Sequence, residues 1–184
     1  MQNEIIVPGH PAPQGSKRPR PIYKGRGEAK RFTGKVALEE QSEKVAPWRA
    51  DVRKAFEDQW TGLRLDGPVQ VVAVFAFYRP ANHFYPVNSR RPEPVLRLDA
   101  PVFPIQKQRN DIDKLMRSTL DAITSAGRVW VDDSLVVCGI EWKVYVDHPY
   151  AAGLGGRSGA IIAVTSLSTE RALGDVDLLS QLGF

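Results

Sequence analysis

The spacing of hydrophobic positions changes along the chain, and each spacing predicts one kind of secondary structure. Apolar residues three and four positions apart predict an amphipathic helix over residues 46–60 and a second from Ile112 to near Gly127. The residues before the first helix, 36–44, leave open whether it starts earlier. Alternating or continuously apolar runs predict strands, and these lie at residues 4–7, 69–78, 135–146 and 160–166.

The order of these elements, β-α-β-α-β-β, predicts the fold class. Helical crossovers early in the chain and a hairpin joining the last two strands imply an α+β fold. We expect a mixed four-stranded sheet with the helices packed on one face. The chain of 184 residues has the length of one domain, which we assign to residues 1–167, with a polar C-terminal tail at 168–184.

Two long segments show neither the helical nor the strand spacing of apolar residues, and both are basic. Residues 10–35 contain four prolines and predict a loop or a loose hairpin, and their part 16–35 carries eight lysines and arginines against one glutamate. Residues 79–109 hold six of the 14 prolines and six cations, which predicts a long loop. The basic arm at 10–35 indicates a polyanionic partner, while a solvated, lysine-rich terminus is the simpler alternative.

Five aspartates lie within 23 residues, around the second helix and in the turn after it. Carboxylates that share one site repel each other unless a cation neutralises them. Two of them flank the helix start and two precede the next strand, so they converge if that strand packs beside the helix. Carboxylate oxygens are ligands that Mg²⁺ prefers. The five residues are Asp111, Asp113, Asp121, Asp132 and Asp133.

These aspartates also have an ordinary structural interpretation. Aspartate at a helix N-terminus caps free N–H groups, and an Asp-Asp pair is common in turns. Arg117 lies four residues after Asp113 on the same helix face, and would then form a surface ion pair with Asp113 or Asp121. If the aspartates instead bind Mg²⁺ that acts on a phosphodiester, Arg117 is placed to bind the scissile phosphate, and Asp121 orients Arg117.

The aspartates belong to a longer pattern that resembles a known family. Residues 110–115 read Asn-Asp-Ile-Asp-Lys-Leu, residues 120–123 Leu-Asp-Ala-Ile, and residues 132–136 Asp-Asp-Ser-Leu-Val. This series is similar to the signature of RusA-type Holliday-junction resolvases, D-x-D-N-L-x-K, then L-D-A-L, then D-D-x-x-V. Residues 11–20 are similar to the P-x-P and R-P-R elements with which that family begins, and the likeness extends over about residues 5–162.

The resemblance implies an activity, a cofactor and an assembly. It implies a homodimeric, Mg²⁺-dependent endodeoxyribonuclease, with Mn²⁺ as an alternative metal, that resolves four-way and branched DNA junctions by paired phosphodiester hydrolysis. Such an enzyme serves DNA recombination and repair in a bacterial or phage-infected cell. No stretch approaches the ~18 apolar residues of a membrane span and no apolar leader begins the chain, so we expect a cytoplasmic protein without a membrane partner.

The resemblance also assigns roles to residues. It implies that Asp111, Asp113 and Asp133 are catalytic and bind the metal, with Asp132 as an additional metal-binding neighbour. Arg117 stands where the family has a catalytic lysine, and keeps the charge without a proton-donor role near neutral pH. A second departure is a lysine at 114, where the family has asparagine. The residues expected to contact DNA are Lys17, Arg18, Arg20, Lys24 and Lys143.

Two other classes of function fit parts of the pattern. A non-catalytic, DNA-binding recombination accessory protein would use the acids only to stabilise its fold. A nucleotide-sugar transferase would use a D-x-D pair to bind a metal and a diphosphate. The acids here open a helix, however, and a basic arm fits a polymer better than a small nucleotide. The sequence therefore favours the nuclease.

Overall fold

The computed structural model describes residues 3–15, 17–40, 42–105 and 110–167, so the predicted tail at 168–184 lies outside its described part. The described chain holds six strands and two α-helices, and most predicted boundaries agree with the structure within two residues. In chain order the elements are β1 (Asn3–Pro8), β2 (Lys17–Lys24), β3 (Arg31–Glu40), α1 (Val45–Gln59), β4 (Val69–Phe77), α2 (Ile112–Ala126), β5 (Val136–Tyr145) and β6 (Gly159–Ser166).

Four of the strands form a mixed sheet in the order β1-β6-β4-β5. β4 and β5 run parallel and are connected through α2, whereas β6 is antiparallel to both of its neighbours. The predicted α+β class and mixed four-stranded sheet are therefore confirmed. The predicted terminal hairpin is wrong, because β6 pairs with β1 and β4 instead of β5. Six consecutive residues of β6 are buried, which suits a central strand rather than an edge.

The basic arm contains a separate antiparallel hairpin, made of β2 and β3. Its register pairs Arg20 with Ala37, and an irregularity follows between Pro21 and Tyr23. Prolines are tolerated here because both strands of a two-stranded ribbon are edge strands. Of the two conformations predicted for the arm, the structure shows the hairpin. The residues after 36 extend β3 to Glu40 and do not lengthen α1.

Both α-helices contribute to one buried cluster with the sheet. α1 inserts Trp48, Val52 and Phe56, and α2 inserts the apolar stripe that includes Leu115 and Ile123. α2 ends at Gly127, which has a φ of 67° and so takes the left-handed conformation that favours glycine after a helix. A smaller cluster forms around Ala76, Val144, Ala151, Leu154 and Ile161, and includes residues of the 3₁₀ helix at Pro149–Leu154.

The insert at 79–109 is described up to residue 105, and is largely irregular as predicted, with one short 3₁₀ helix at Ala81–His83. Its start is attached to the end of β5. Arg79 Nε donates to Asp147 Oδ2 at 2.7 Å, and the Arg79 guanidinium lies 4.2 Å from the centre of the Tyr145 ring. His83 contacts the same ring edge-on, with 5.5 Å between ring centres. The described helices are all too short or too polar to cross a membrane.

Candidate active site

The start of α2 carries the first pair of predicted metal ligands. Asp111 is the N-cap residue by its backbone, whose carbonyl accepts from Leu115 N at 3.0 Å, but its side chain forms no capping hydrogen bond. Asp113 lies in the first turn, and both aspartate side chains are exposed. Capping of α2 by the side chain therefore does not explain why an aspartate stands at position 111.

Two lysines surround the Asp111 carboxylate. Lys114 Nζ donates to Asp111 Oδ2 at 2.5 Å, and this hydrogen bond, with a smaller attraction from Lys143, holds the pKa of Asp111 below its ordinary value. The same contact raises the pKa of Lys114, to which Asp113 adds its attraction. The two acids and two lysines thus form one charged group. Its Asp111–Lys114 pair is well exposed, so it contributes little to stability.

Lys143 of β5 also contacts the backbone directly before Asp111. Its Nζ donates to the carbonyl oxygen of Asn110 at 2.9 Å. Asn110 has a φ of 91°, and among the described non-glycine residues it alone has a positive φ. The sequence predicted Lys143 as a DNA contact, and the structure shows that its ammonium group is engaged by the protein.

Glu141 was not among the predicted site residues, although it lies beside this group. In the β4–β5 register, Glu141 and Lys143 pair with Ala73 and Phe75, so both side chains lie on the helix-facing side of β5. Gly139 shows the same orientation, because a Cβ atom placed on it would lie 3.5 Å from Met116 Cε of α2 and 3.7 Å from Glu141 Oε1. The Glu141 carboxylate therefore lies on the side of β5 that faces α2. The alternation of β5 already placed Glu141 and Lys143 on one side, and this was the signal available in the sequence.

The second predicted pair lies at the 3₁₀ helix Asp133–Leu135, directly before β5. Asp132 Oδ1 accepts from Ser134 N at 2.9 Å, which caps this turn and lowers the pKa of Asp132. Asp133 is half-buried and forms no side-chain hydrogen bond or ion pair with the described residues. The ordinary interpretation of an aspartate in a turn thus applies to Asp132 and leaves Asp133 unexplained.

The predicted convergence of the acids is not seen in the described chain. Among its residues, no group of three or more His, Cys, Asp or Glu side chains is placed to hold a metal ion. The structure brings together Asp111, Asp113 and the two lysines, and it does not add Asp132 or Asp133 to them. The exposed pair still suits Mg²⁺, which is commonly held by one or two carboxylates, waters and substrate phosphates instead of a complete protein cage.

Asp121 does not orient Arg117, and this prediction is wrong. Its Oδ2 accepts from Arg49 Nη2 of α1 at 2.5 Å. With the Gln14 amide turned to satisfy both neighbours, its nitrogen donates to Asp121 Oδ2 at 3.3 Å and its oxygen accepts from Arg49 Nη2 at 3.2 Å. Asp121 therefore pairs across the α1–α2 interface and not with Arg117 of its own helix. Arg117 is exposed and forms no ion pair with the described residues.

The basic arm begins next to the acids. The Gln14 backbone N–H donates to the Lys114 carbonyl at 3.1 Å, so the chain that enters β2 lies against the first turn of α2. Arg18, Arg20 and Lys24 have exposed side chains in β2. For Lys17 the structure describes the backbone of β2, and the position of its side chain lies outside the description.

A comparison with protein families covers most of the chain. The family model described as endodeoxyribonuclease RusA matches residues 13–152, about three quarters of the 184 residues. The match includes the basic hairpin, both α-helices, the insert and all five aspartates. A search of curated proteins gave no match. The family is one of DNA endonucleases that act on Holliday junctions, which supports a nuclease. The chain belongs to the RusA endodeoxyribonuclease family.

Proposed function

We propose that the protein is a metal-dependent endodeoxyribonuclease that resolves four-way and branched DNA junctions during recombination and repair. The observation that carries the proposal is the exposed pair Asp111 and Asp113 at the start of α2, inside the RusA match. Neither side chain is needed to cap the helix or to stabilise the core. Mg²⁺ is the proposed metal, with Mn²⁺ as an alternative, because both accept carboxylate oxygens.

Asp111, Asp113 and Asp133 are the residues that would hold the metal. The Asp132 side chain caps the turn on which Asp133 lies, and Asp132 is proposed as the neighbour of Asp133 at the metal. When bound, the metal would activate a water molecule and stabilise the leaving oxygen. The phosphate of the substrate would supply further oxygen ligands, which fits a site where the described residues do not assemble three carboxylates.

Arg117 is proposed to bind the scissile phosphate. It lies one turn after Asp113 on the exposed face of α2, and forms no ion pair with the described residues, so its guanidinium group is available to a ligand. Guanidinium binds phosphate through two parallel hydrogen bonds and stabilises negative charge. It does not donate a proton near neutral pH, so the role of Arg117 is electrostatic.

The basic arm is proposed to hold the DNA backbone. Lysine and arginine contacts to phosphates position a protein on DNA without reading the base sequence. The link between Gln14 and the first turn of α2 places the start of the arm beside the acids. The insert at 79–109 is proposed as a second basic surface. The proposed phosphate contacts of the arm are Lys17, Arg18, Arg20 and Lys24.

We further propose a homodimer that works inside a bacterial or phage-infected cell. A four-way junction has a two-fold axis, and two active sites related by the same symmetry explain paired cuts in opposite strands. Light scattering of the purified protein measures the mass, and a monomer that still makes paired cuts would contradict the dimer.

A labelled synthetic junction tests the proposed activity. The purified protein is incubated with a four-way junction or a matching duplex, with Mg²⁺, with Mn²⁺, or with chelator. We expect paired, metal-dependent nicks in the junction and little cutting of the duplex. Binding of the junction without cutting in either metal would instead favour the non-catalytic accessory protein.

A further inference from the structure

We propose that Lys143 is a positioning residue of the nuclease site, which holds the Asn110 carbonyl and thereby fixes the backbone from which Asp111 projects. The inference rests on the proposed nuclease function. It gives Lys143 a role that differs from a phosphate contact, and the two roles have different experimental consequences.

The first step of the argument is the backbone of Asn110. Its φ of 91° lies in the left-handed region, which residues with a side chain adopt rarely and keep only when their surroundings hold them there. Asparagine tolerates this region better than most residues, but it is not indifferent to it as glycine is. Asp111 follows directly as the N-cap of α2, so the conformation of Asn110 sets the direction in which the chain enters the helix.

The second step is the contact that holds this backbone. Lys143 Nζ donates to the Asn110 oxygen at 2.9 Å across 33 residues of sequence. This hydrogen bond comes from a charged donor, which makes it stronger than a neutral one. It joins β5 to the segment before α2.

The third step is the rigidity of the strand that carries Lys143. β5 pairs with β4 from Val69 to Phe77, so the Lys143 backbone belongs to the sheet. Tyr145, two residues later on the same face, is 2% exposed and has His83 and Arg79 packed on its ring. Lys143 is itself half-buried. A catalytic group placed by a rigid element keeps its geometry better than one placed by a loop alone.

The two roles of Lys143 predict different losses. Removing a phosphate contact weakens DNA binding. It also reduces the salt slope, which is the slope of log affinity against log salt concentration, by about one. Removing a positioning contact leaves affinity and slope unchanged and lowers kcat, because a misplacement of about 1 Å near the reacting atoms costs about 10²-fold.

The test compares Lys143→Met, which keeps the length of the stem, with Lys54→Met, an exposed α1 lysine paired with Asp58. Three measurements are made on each variant: junction binding over a salt titration without metal, kcat with Mg²⁺, and amide hydrogen exchange of Leu115, whose N–H donates to the Asp111 carbonyl, in the metal-free protein. We expect the Leu115 amide of Lys143→Met to exchange faster and kcat to fall about 10²-fold, with unchanged salt slope. Lys54→Met should match the wild type in all three.

Unchanged exchange of the Leu115 amide would overturn the proposal, and so would a salt slope reduced by about one with kcat preserved. Lys143→Arg, which keeps a cationic donor, should keep the Leu115 amide at the wild-type exchange rate and serves if the methionine variant does not fold. The exchange measurement is independent of catalysis. If the wild type cuts no junction, the proposed function fails, whereas the exchange comparison still decides whether Lys143 holds Asn110.

Discussion

Arg49 of α1 and Asp121 of α2 join the two helices through an ion pair, with 2.5 Å between Arg49 Nη2 and Asp121 Oδ2. Their side chains are only partly exposed, at 31% and 38%. Gln14 completes the contact, and its backbone also binds the first turn of α2. Asp121 therefore secures the packing of the N-terminal segment and α1 against α2, the helix on which the proposed metal ligands lie.

Asp121→Asn should lower the free energy of unfolding by about 1 kcal/mol, since it leaves the partly buried Arg49 without its carboxylate partner. Urea denaturation measures the change. Asp58→Asn is the matched control, because its pair with Lys54 is exposed and should change stability by less than about 0.5 kcal/mol.

Double-mutant cycles identify the partner of Asp121. Arg49→Met and Asp121→Asn should be non-additive, whereas Arg117→Met and Asp121→Asn should be additive. Coupling of Asp121 to Arg117 instead of Arg49 would contradict the observed pairing.

Lys114→Asn should lower the Mg²⁺ concentration needed for half-maximal cutting by about two- to fivefold. The Lys114 ammonium group now donates to Asp111 Oδ2, so a metal at that oxygen has to displace it. The fold-change corresponds to the strength of an exposed ion pair. A Mg²⁺ titration of junction cutting measures it, with Lys54→Asn as control. An unchanged or higher requirement for Mg²⁺ would show that Lys114 does not compete with the metal.

Arg18→Ala and Lys24→Ala should each weaken junction binding and reduce the salt slope by about one, with little change in kcat. Both side chains are exposed on β2, a different element from the helix that carries Asp111 and Asp113. Binding without metal over a salt titration measures the effect, and Lys54→Ala serves as control. A kcat loss at constant affinity would place these residues in catalysis instead of DNA binding.

Tyr145→Phe should stabilise the protein by about 1 kcal/mol at neutral pH, because the Tyr145 hydroxyl is buried without a hydrogen-bond partner in the described chain. Urea denaturation at pH 7 measures this difference. Tyr150→Phe, at a side chain that is 54% exposed, should be neutral. A clear loss of stability in Tyr145→Phe would show that the hydroxyl forms a stabilising contact.

The same tyrosine predicts a pH dependence. Burial raises the pKa of Tyr145 above its ordinary value of 10.0, so the folded state keeps the proton when the unfolded chain loses it. Its contribution to stability is complete below pH 10 and decreases as the pH rises through the folded pKa. The stability of the wild type should therefore decrease more steeply above pH 10 than that of Tyr145→Phe, and parallel curves would contradict this.

Local patterns in the sequence predicted the positions of helices and strands well, but they did not predict which strands pair. The apolar spacing of α2 and the glycine at 127 were enough to place Ile112–Ala126, and alternation placed Glu141 and Lys143 on one face. Spacing does not say which strands pair, so the hairpin of the last two strands was predicted wrongly.

The contacts that shape the site also depend on residues far apart in the chain. The partner of Asp121 lies 72 residues away, and Lys143 binds a carbonyl 33 residues away. A motif can show which residues carry carboxylates, but the groups that hold them in place become visible only when the helices and sheet are packed together.

The most direct test of the central claim is the cutting of a labelled four-way junction by the wild type, Asp113→Asn and Asp58→Asn over a Mg²⁺ titration, with junction binding measured alongside. We expect paired nicks from the wild type and Asp58→Asn. Asp113→Asn should bind equally well and cut at least about 10²-fold more slowly, since a bound metal supplies several kcal/mol of charge stabilisation. Cutting by Asp113→Asn at the wild-type rate would contradict the account.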